Sequence, residues 1–262
     1  DINGPANKGH LCVKGRFGSY DFVSDPGRLK QPLIRIDPNR FIRVDDKNFD
    51  KVFRAASWDE ALDLAAGRFR QIKERYGPDA LAGISSARVT NEENYIFQKF
   101  MRAAIGTNNI DHCARLCHAP TVAGLGMSFG SGAMTNSISE IGNADCVFII
   151  GSNTVEAHPV IALEVKRAKA KGAKLIAVDP RYTRTAELAD VYLQIRPGSD
   201  IALLNAMMSV IISSGLEDKA FIQFRTEGYR EFKETVMRYT PSKASEITGV
   251  AQQKIIDAAL MY

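Results

Sequence analysis

Cys146-Val-Phe-Ile-Ile150, followed at once by Gly151-Ser152-Asn153-Thr154, is the stretch that decides the fold. Five consecutive apolar residues closed by glycine read as a strand buried on both faces. Downstream, the pattern predicts a helix from about Pro159 to Lys171 and then a second strand, Lys174-Leu-Ile-Ala-Val178, which ends on Asp179-Pro180. Val191 to Ile195 predicts a third strand, and Ile201 to Ser214 the next helix. Apolar strands alternating with helices of this length imply a parallel sheet with right-handed crossovers, so the fold class is α/β. From Asp218 onward the reading is helical, over 218–224, 228–239 and 251–262.

The ends of those strands are where a parallel sheet binds phosphates, because backbone amides and helix N-termini face the anion there. Gly151 to Thr154 closes the first strand. Asp179, 28 residues after Gly151, stands where an acid commonly takes ribose hydroxyls. The third strand ends in Pro197-Gly198-Ser199-Asp200. Each loop taken singly is also a good turn or cap. All three on one edge favour a nucleotide site, although Gly151-Ser-Asn is not the GxGxxG of a simple nicotinamide fold.

Toward the N-terminus the chain changes character. Residues 1–30 are rich in Gly, Pro and Asp and suit loops that wrap something. Pro32 to Val44 predicts two short alternating strands around Asp37-Pro38-Asn39. Ser57 is an N-cap, with Glu60 completing a capping box, for a helix to about Tyr76 that carries Leu62, Ala65, Ala66, Phe69 and Ile72 on one face. Leu81 to Ser85 predicts a short buried strand, and Glu92 to Ile105 a second helix.

Composition excludes several classes. With 262 residues, 45% hydrophobic and 24% charged, the chain is neither disordered nor fibrous. No apolar run approaches the ~18–20 residues of a membrane-spanning helix, which argues against direct membrane insertion. A net charge of +4 over this length falls short of a nucleic-acid footprint. Four cysteines make no disulfide framework, so an intracellular, cytoplasmic protein with free thiols is expected. There is no initiator Met, and Met261-Tyr262 closes the chain inside an apolar helical pattern, so both ends read as cut from a longer polypeptide.

Cys113-Ala-Arg-Leu-Cys117-His118-Ala-Pro120 puts a thiol beside an imidazole, a pairing suited to a metal ligand with a proton acceptor or to a nucleophile pair, although a buried structural Cys is the plainer reading. Cys146, in a strand, is expected in the core. Cys12, in Gly9-His-Leu-Cys12-Val-Lys14-Gly15, reads as an ordinary loop residue. Spacing alone assembles no zinc or iron–sulfur site from these four.

Taken in order, HLCVKGRFG, SSARVTNEENYIFQKFMRAAIGTNN, CARLCHAPTVAGL, IIGSNTVEAHP, AVDPRYTRTA and RPGSDIALLNAM resemble the catalytic subunit of metal-dependent formate dehydrogenases, within the molybdopterin bis(guanine dinucleotide) oxidoreductases. The resemblance covers essentially the whole chain, and its RxCH(G/A)P motif is specific. It implies that Cys117 ligates molybdenum or tungsten, that His118 is the catalytic histidine, and that Arg88 contacts a pterin. It implies further that Cys12 is the last of four ligands to a [4Fe–4S] cluster, with Lys14 between that cluster and a pterin; the other three ligands would precede residue 1. Gly151, Ser152, Asn153, Glu156 and His158, with Asp179, Pro180 and Arg181, and Gly198, Ser199 and Asp200, correspond to segments that hold the guanine dinucleotide, and the family's cofactors are two molybdopterin guanine dinucleotides, molybdenum or tungsten and the cluster.

The same resemblance implies three segments: 1–30 as the remnant of an iron–sulfur domain, 31–110 as part of a discontinuous α/β domain, and 111–262 as the dinucleotide-binding domain. The expected reaction is formate oxidation to carbon dioxide, or its reverse, with iron–sulfur or flavin subunits as electron-transfer partners. The formate-orienting Arg of the family would lie past residue 262, so the isolated chain is expected to be inactive. Physical chemistry agrees, since two pyrophosphates and a metal dithiolene call for amide-rich strand ends and cations such as Arg88 and Lys14, and a soft metal for a thiolate. Rivals are a periplasmic-type nitrate reductase, which usually carries Met where His118 stands, and a metal-free scaffold relative of the kind in respiratory complex I.

Overall fold

Ser57 begins the first long helix as its sequence dictates: its hydroxyl accepts from the backbone N–H of Glu60, and the helix, α1, runs Trp58–Tyr76 to Gly77. The reciprocal half of the expected capping box is absent, because the Glu60 carboxylate is held by Arg54 instead. The computed structural model describes all residues except 1, 6, 19–21, 40–42 and 46–47. Contacts divide the chain into two units, residues 20–135, and residues 1–19 with 136–262. Residues 111–135 thus group with the segment before them.

In the 20–135 unit, β1 (Leu33–Arg35) pairs antiparallel with β2 (Phe53–Ala55). The second strand expected before Val44 falls largely outside the described residues. Next come β3 (Gly83–Ser85) and β4 (Ile110–His112), which are parallel, with Ser85 opposite His112. Between them lies α2 (Asn91–Lys99), opened by a full Thr90–Glu93 capping box. The expected helix to Ile105 is completed by a wider π turn over Phe100–Ile105. After β4, α3 (Ala119–Phe129) starts with His118 as its N-cap residue and Pro120 in its first turn.

The second unit holds the sheet read from the quoted stretch. Strands β5 (Cys146–Ile150), β6 (Lys174–Val178) and β7 (Val191–Leu193) lie in the order β5-β6-β7, all parallel. Helix α4 (Pro159–Ala170) joins β5 to β6, and α5 (Asp200–Ser213) follows β7. The remaining helices are α6 (Lys219–Arg225), α7 (Tyr229–Val236), α8 (Pro241–Thr248) and α9 (Gln252–Met261).

Alternation along β6 explains why it is apolar throughout. Ile176 and Val178 pack with Leu203 of α5 and Ile255 of α9 in the main core. Leu175 and Ala177 point the opposite way and are as fully buried, so β6 is covered on both faces. Cys146 opens β5 rather than sitting inside it. It is half-buried against the core, and burial pushes its thiol up. Among the described residues, no helix is long and apolar enough to cross a membrane.

Candidate active site

In the 20–135 unit, parallel pairing places the carboxyl ends of β3 and β4 side by side. The loop after β3 is Ser86-Ala87-Arg88; the segment after β4 is a tight turn, Cys113–Arg115, leading to Cys117 and His118. A bond joins the two segments: the backbone N–H of Ala87 donates to Cys113 Sγ at 3.2 Å. Within the turn, Cys117 N–H donates to the Ala114 carbonyl at 3.2 Å. Asp111 takes Arg115 Nε at 2.8 Å, and this guanidinium holds the Asp111 carboxyl below the usual carboxylate range.

Arg88, Cys117 and His118 are all exposed. Cys117 is therefore not the packed structural cysteine of the plainer reading. Among the described residues, neither it nor His118 has a side-chain hydrogen-bond partner, so both are free to meet a ligand. Leu116, which precedes Cys117, is 94% exposed, and Met127 on α3 is 89% exposed. Helix α3 buries no residue although it is apolar on every side.

In the second unit, β5, β6 and β7 bring the three expected loops to one edge. Gly151 has φ +63°, its N–H donates to the Val178 carbonyl at 2.9 Å, and a Cβ built on it meets nothing within 4 Å. Gly198 (φ +81°) is equally open. Each is a backbone position that a ligand can approach closely. Ser152 bonds Thr154 through their hydroxyls at 3.0 Å. The helix after Gly151 is only the turn Thr154–Ala157; the long helix α4 begins past His158, which is exposed.

Asp179 is 9% exposed, and its Oδ1 accepts from Arg181 N–H at 2.8 Å. Its carbonyl accepts from the Tyr192 hydroxyl at 2.9 Å, while Gln194 Nε2 donates to the Pro180 carbonyl at 3.0 Å. Burial, then the charge of Asp179, pushes the Tyr192 phenol up, which keeps it a proton donor. Arg181 itself is exposed. Ser199 is buried and spends its hydroxyl on the Arg196 carbonyl at 2.6 Å, leaving Asp200 in the first turn of α5.

Sequence reasoning missed Thr185. Only 2% exposed, it donates to Asn153 Oδ1 at 3.3 Å and accepts from Val155 N–H at 3.2 Å, tying the loop after β5 to the loop after β6. A threonine in the turn Thr183-Arg-Thr185 was the available signal. The cross-links by Cys113 and Tyr192 carried no signal in the linear pattern.

Lys14 and Cys12 belong to this unit. Cys12 caps the turn Val13–Phe17, and the amide of Gly15, then that of Lys14, holds its thiol below the usual range. Lys14 Nζ donates to the Glu156 carbonyl at 2.9 Å. Among the described residues, no three His, Cys, Asp or Glu side chains group as a metal site, so the residues present do not by themselves fit a cluster.

Residues 28–258 match the Molybdopterin oxidoreductase family. The chain belongs to that family. Among curated relatives, it is 54% identical to the F420-dependent formate dehydrogenase 1 subunit alpha of Methanococcus maripaludis, over 98% of this chain and 36% of that protein. It is 48% identical to formate dehydrogenase H of Escherichia coli, over 99% of this chain and 35% of that one. The chain thus spans about a third of the length of the curated relatives it matches. Among solved structures, acetylene hydratase from Pelobacter acetylenicus superposes with a TM-score of 0.66 at 30% identity, over 92% of this chain and 32% of that one. The expected α/β fold with parallel sheets agrees with this likeness.

For a molybdopterin oxidoreductase the implied groups are a molybdopterin and molybdenum or tungsten. In the 20–135 unit the exposed cation Arg88 and the exposed thiol of Cys117, and in the other unit the open glycines Gly151 and Gly198, suit such groups. A soft thiolate suits such a metal, and open backbone suits a bulky anionic ligand.

Proposed function

We propose that the chain is part of the catalytic subunit of a formate dehydrogenase that converts formate to carbon dioxide, or the reverse. The observation that carries this reading is the pair Cys117-His118, exposed beyond the carboxyl end of β4, in a chain 48–54% identical to curated formate dehydrogenases. His118 favours this reaction over a nitrate reductase, and the intact Cys-His pair favours catalysis over a scaffold role.

Formate leaves as carbon dioxide after losing one proton and two electrons, and the bound metal centre supplies the acceptor for the electrons. Cys117 is the metal ligand in this reading. His118, beside it, takes the proton on a ring nitrogen, which carries a lone pair able to accept it. Arg88 neutralises pterin charge. The groups at Gly151–Asn153, Glu156, His158, Asp179–Arg181 and Gly198–Asp200 hold the guanine dinucleotide in this reading. Cys12 is one ligand of a [4Fe–4S] cluster completed by other residues of the longer protein, and Lys14 lies on the path between it and the pterin.

As domains of that protein we take 1–30 as iron–sulfur, 31–110 as part of a discontinuous α/β domain and 111–262 as dinucleotide-binding, with 111–135 packed on the segment before them. Iron–sulfur or flavin subunits receive the electrons, and the free thiols favour the cytoplasm. The test is metal, pterin and nucleotide analysis of the full-length protein together with formate-dependent dye reduction. The reading expects one molybdenum or tungsten, two guanine dinucleotides and turnover with formate. A metal-free protein, or a loaded one inert toward both formate and carbon dioxide, overturns it. The isolated 262-residue chain is expected to show no turnover.

A further inference from the structure

We propose that Cys113 is a positioning residue whose sulfur sets the register between the Arg88 loop and the Cys117 turn. The inference rests on the reading of Cys117 as metal ligand and Arg88 as pterin contact. Its own ground is geometric. The Ala87 N–H points at Cys113 Sγ from 3.2 Å, across two loops that leave adjacent parallel strands.

The sulfur is itself placed by His112. The Ala114 N–H donates to His112 Nδ1 at 3.0 Å, so that nitrogen carries a lone pair and the ring proton sits on Nε2. Nδ1 lies 3.8 Å from Cys113 Sγ, and its bond from Ala114 N–H fixes the start of the turn that carries the sulfur. On the far side the Arg88 loop is braced from within: Arg88 N–H donates to Ser86 Oγ at 3.1 Å, and Asn94 Nδ2 holds the Ser86 carbonyl at 3.3 Å. A loop this stiff moves as one piece, so beyond the β3–β4 pairing the bond to Cys113 governs where the guanidinium of Arg88 stands relative to Cys117. Because Cys113 is exposed, shortening it removes little packing and isolates the hydrogen bond.

The experiment compares wild type, Cys113→Ala and Cys113→Ser in the full-length protein. It measures metal and pterin content, the electron paramagnetic resonance of the singly reduced metal, and kcat and KM for formate. Expected for Cys113→Ala is full metal content, a shifted resonance and a kcat lowered about three- to tenfold, the scale of one hydrogen bond of ordinary net strength. Serine keeps a donor and an acceptor at the same place, so Cys113→Ser restores most of the wild-type spectrum and rate. Wild-type behaviour in both variants overturns the proposal, and so does an equal loss in both, metal loss included, because that marks packing rather than the bond. Cys117→Ser runs alongside: if it retains wild-type metal and spectrum, the reading of Cys117 fails. The Cys113 spectra judge the positioning role separately, even in a protein inert toward formate.

Discussion

The ammonium of Lys14 donates to the carbonyl oxygen of Glu156 at 2.9 Å, joining residues 142 positions apart. The bond ties the turn that begins at Cys12 to the loop that follows β5. Lys14→Met keeps the apolar stem and deletes the charge, so it separates the electrostatic part from packing. If the proposed cluster is reduced by way of Lys14, its reduction by formate in the full-length protein is expected to slow about tenfold with pterin content unchanged, as followed by stopped-flow absorbance. An unchanged rate removes Lys14 from the electron path.

Cys117 and His118 are adjacent and exposed, yet they make no bond to one another, so their roles separate by mutation. Cys117→Ser is expected to abolish formate oxidation at near-normal pterin content. His118→Ala is expected to lower kcat by about a hundredfold or more, the scale of a positioned proton acceptor, with metal loading little changed. Enzyme assay with metal analysis checks both. Intact turnover in either variant contradicts the assigned role.

Gly151 sits at φ +63° with open space above it. Alanine there costs about 1 kcal/mol of backbone strain and meets no protein atom. A bound phosphate group would meet it. Gly151→Ala is therefore expected to lose guanine dinucleotide, measured by nucleotide release, while the unfolding midpoint of the cofactor-free protein falls by only a few degrees. Equal nucleotide retention places the phosphates elsewhere.

The quoted stretch shows which parts of the fold are legible. Strands β5 and β6 have the bounds expected from sequence, because continuous apolar runs closed by Gly151 and Asp179 leave no other period. Helix α3 was not legible. With Gly124, Gly126 and Pro120 and apolar residues all round, it shows no 3.6-residue stripe. Helix α8 was missed for the opposite reason: Pro-Ser-Lys-Ala-Ser-Glu-Ile-Thr is mostly polar, and its signal is the cap, Thr240 accepting from Lys243 N–H before a proline. Strand β4 is three residues with one apolar side chain, defined only by its pairing with β3. In the site, loops at strand ends could be read from Gly, Ser and Asp. Cross-links such as Cys113 to Ala87 could not, since they depend on which strands neighbour each other.

Thr185 satisfies two groups at once, the Asn153 side chain and the Val155 N–H. Thr185→Val keeps the volume and leaves both without a partner. The expected cost is about 1–3 kcal/mol of local stability. Faster amide hydrogen exchange over 151–158 in the full-length protein reports it, with α9 unaffected. Unaltered exchange shows that water replaces the hydroxyl.

Asp190 fastens the start of β7 to the elements before it: one carboxylate oxygen accepts from Lys169 Nζ at 2.7 Å and from Leu175 N–H at 2.8 Å. The bond from Lys169, more than any other influence, holds its carboxyl below the usual value of 3.8. A carboxyl depressed in the folded state stabilises fully above its unfolded value and loses that contribution as pH falls through the folded one. Asp190→Asn keeps the shape and removes the charge. The variant is therefore expected to unfold at lower temperature than wild type from pH 5 to 7, with the difference shrinking below about pH 4 as the wild-type carboxyl takes its proton. Thermal unfolding in a pH series checks this, and a gap that stays constant below pH 4 means that the neutral hydrogen bonds, not the charge, hold this corner of the sheet.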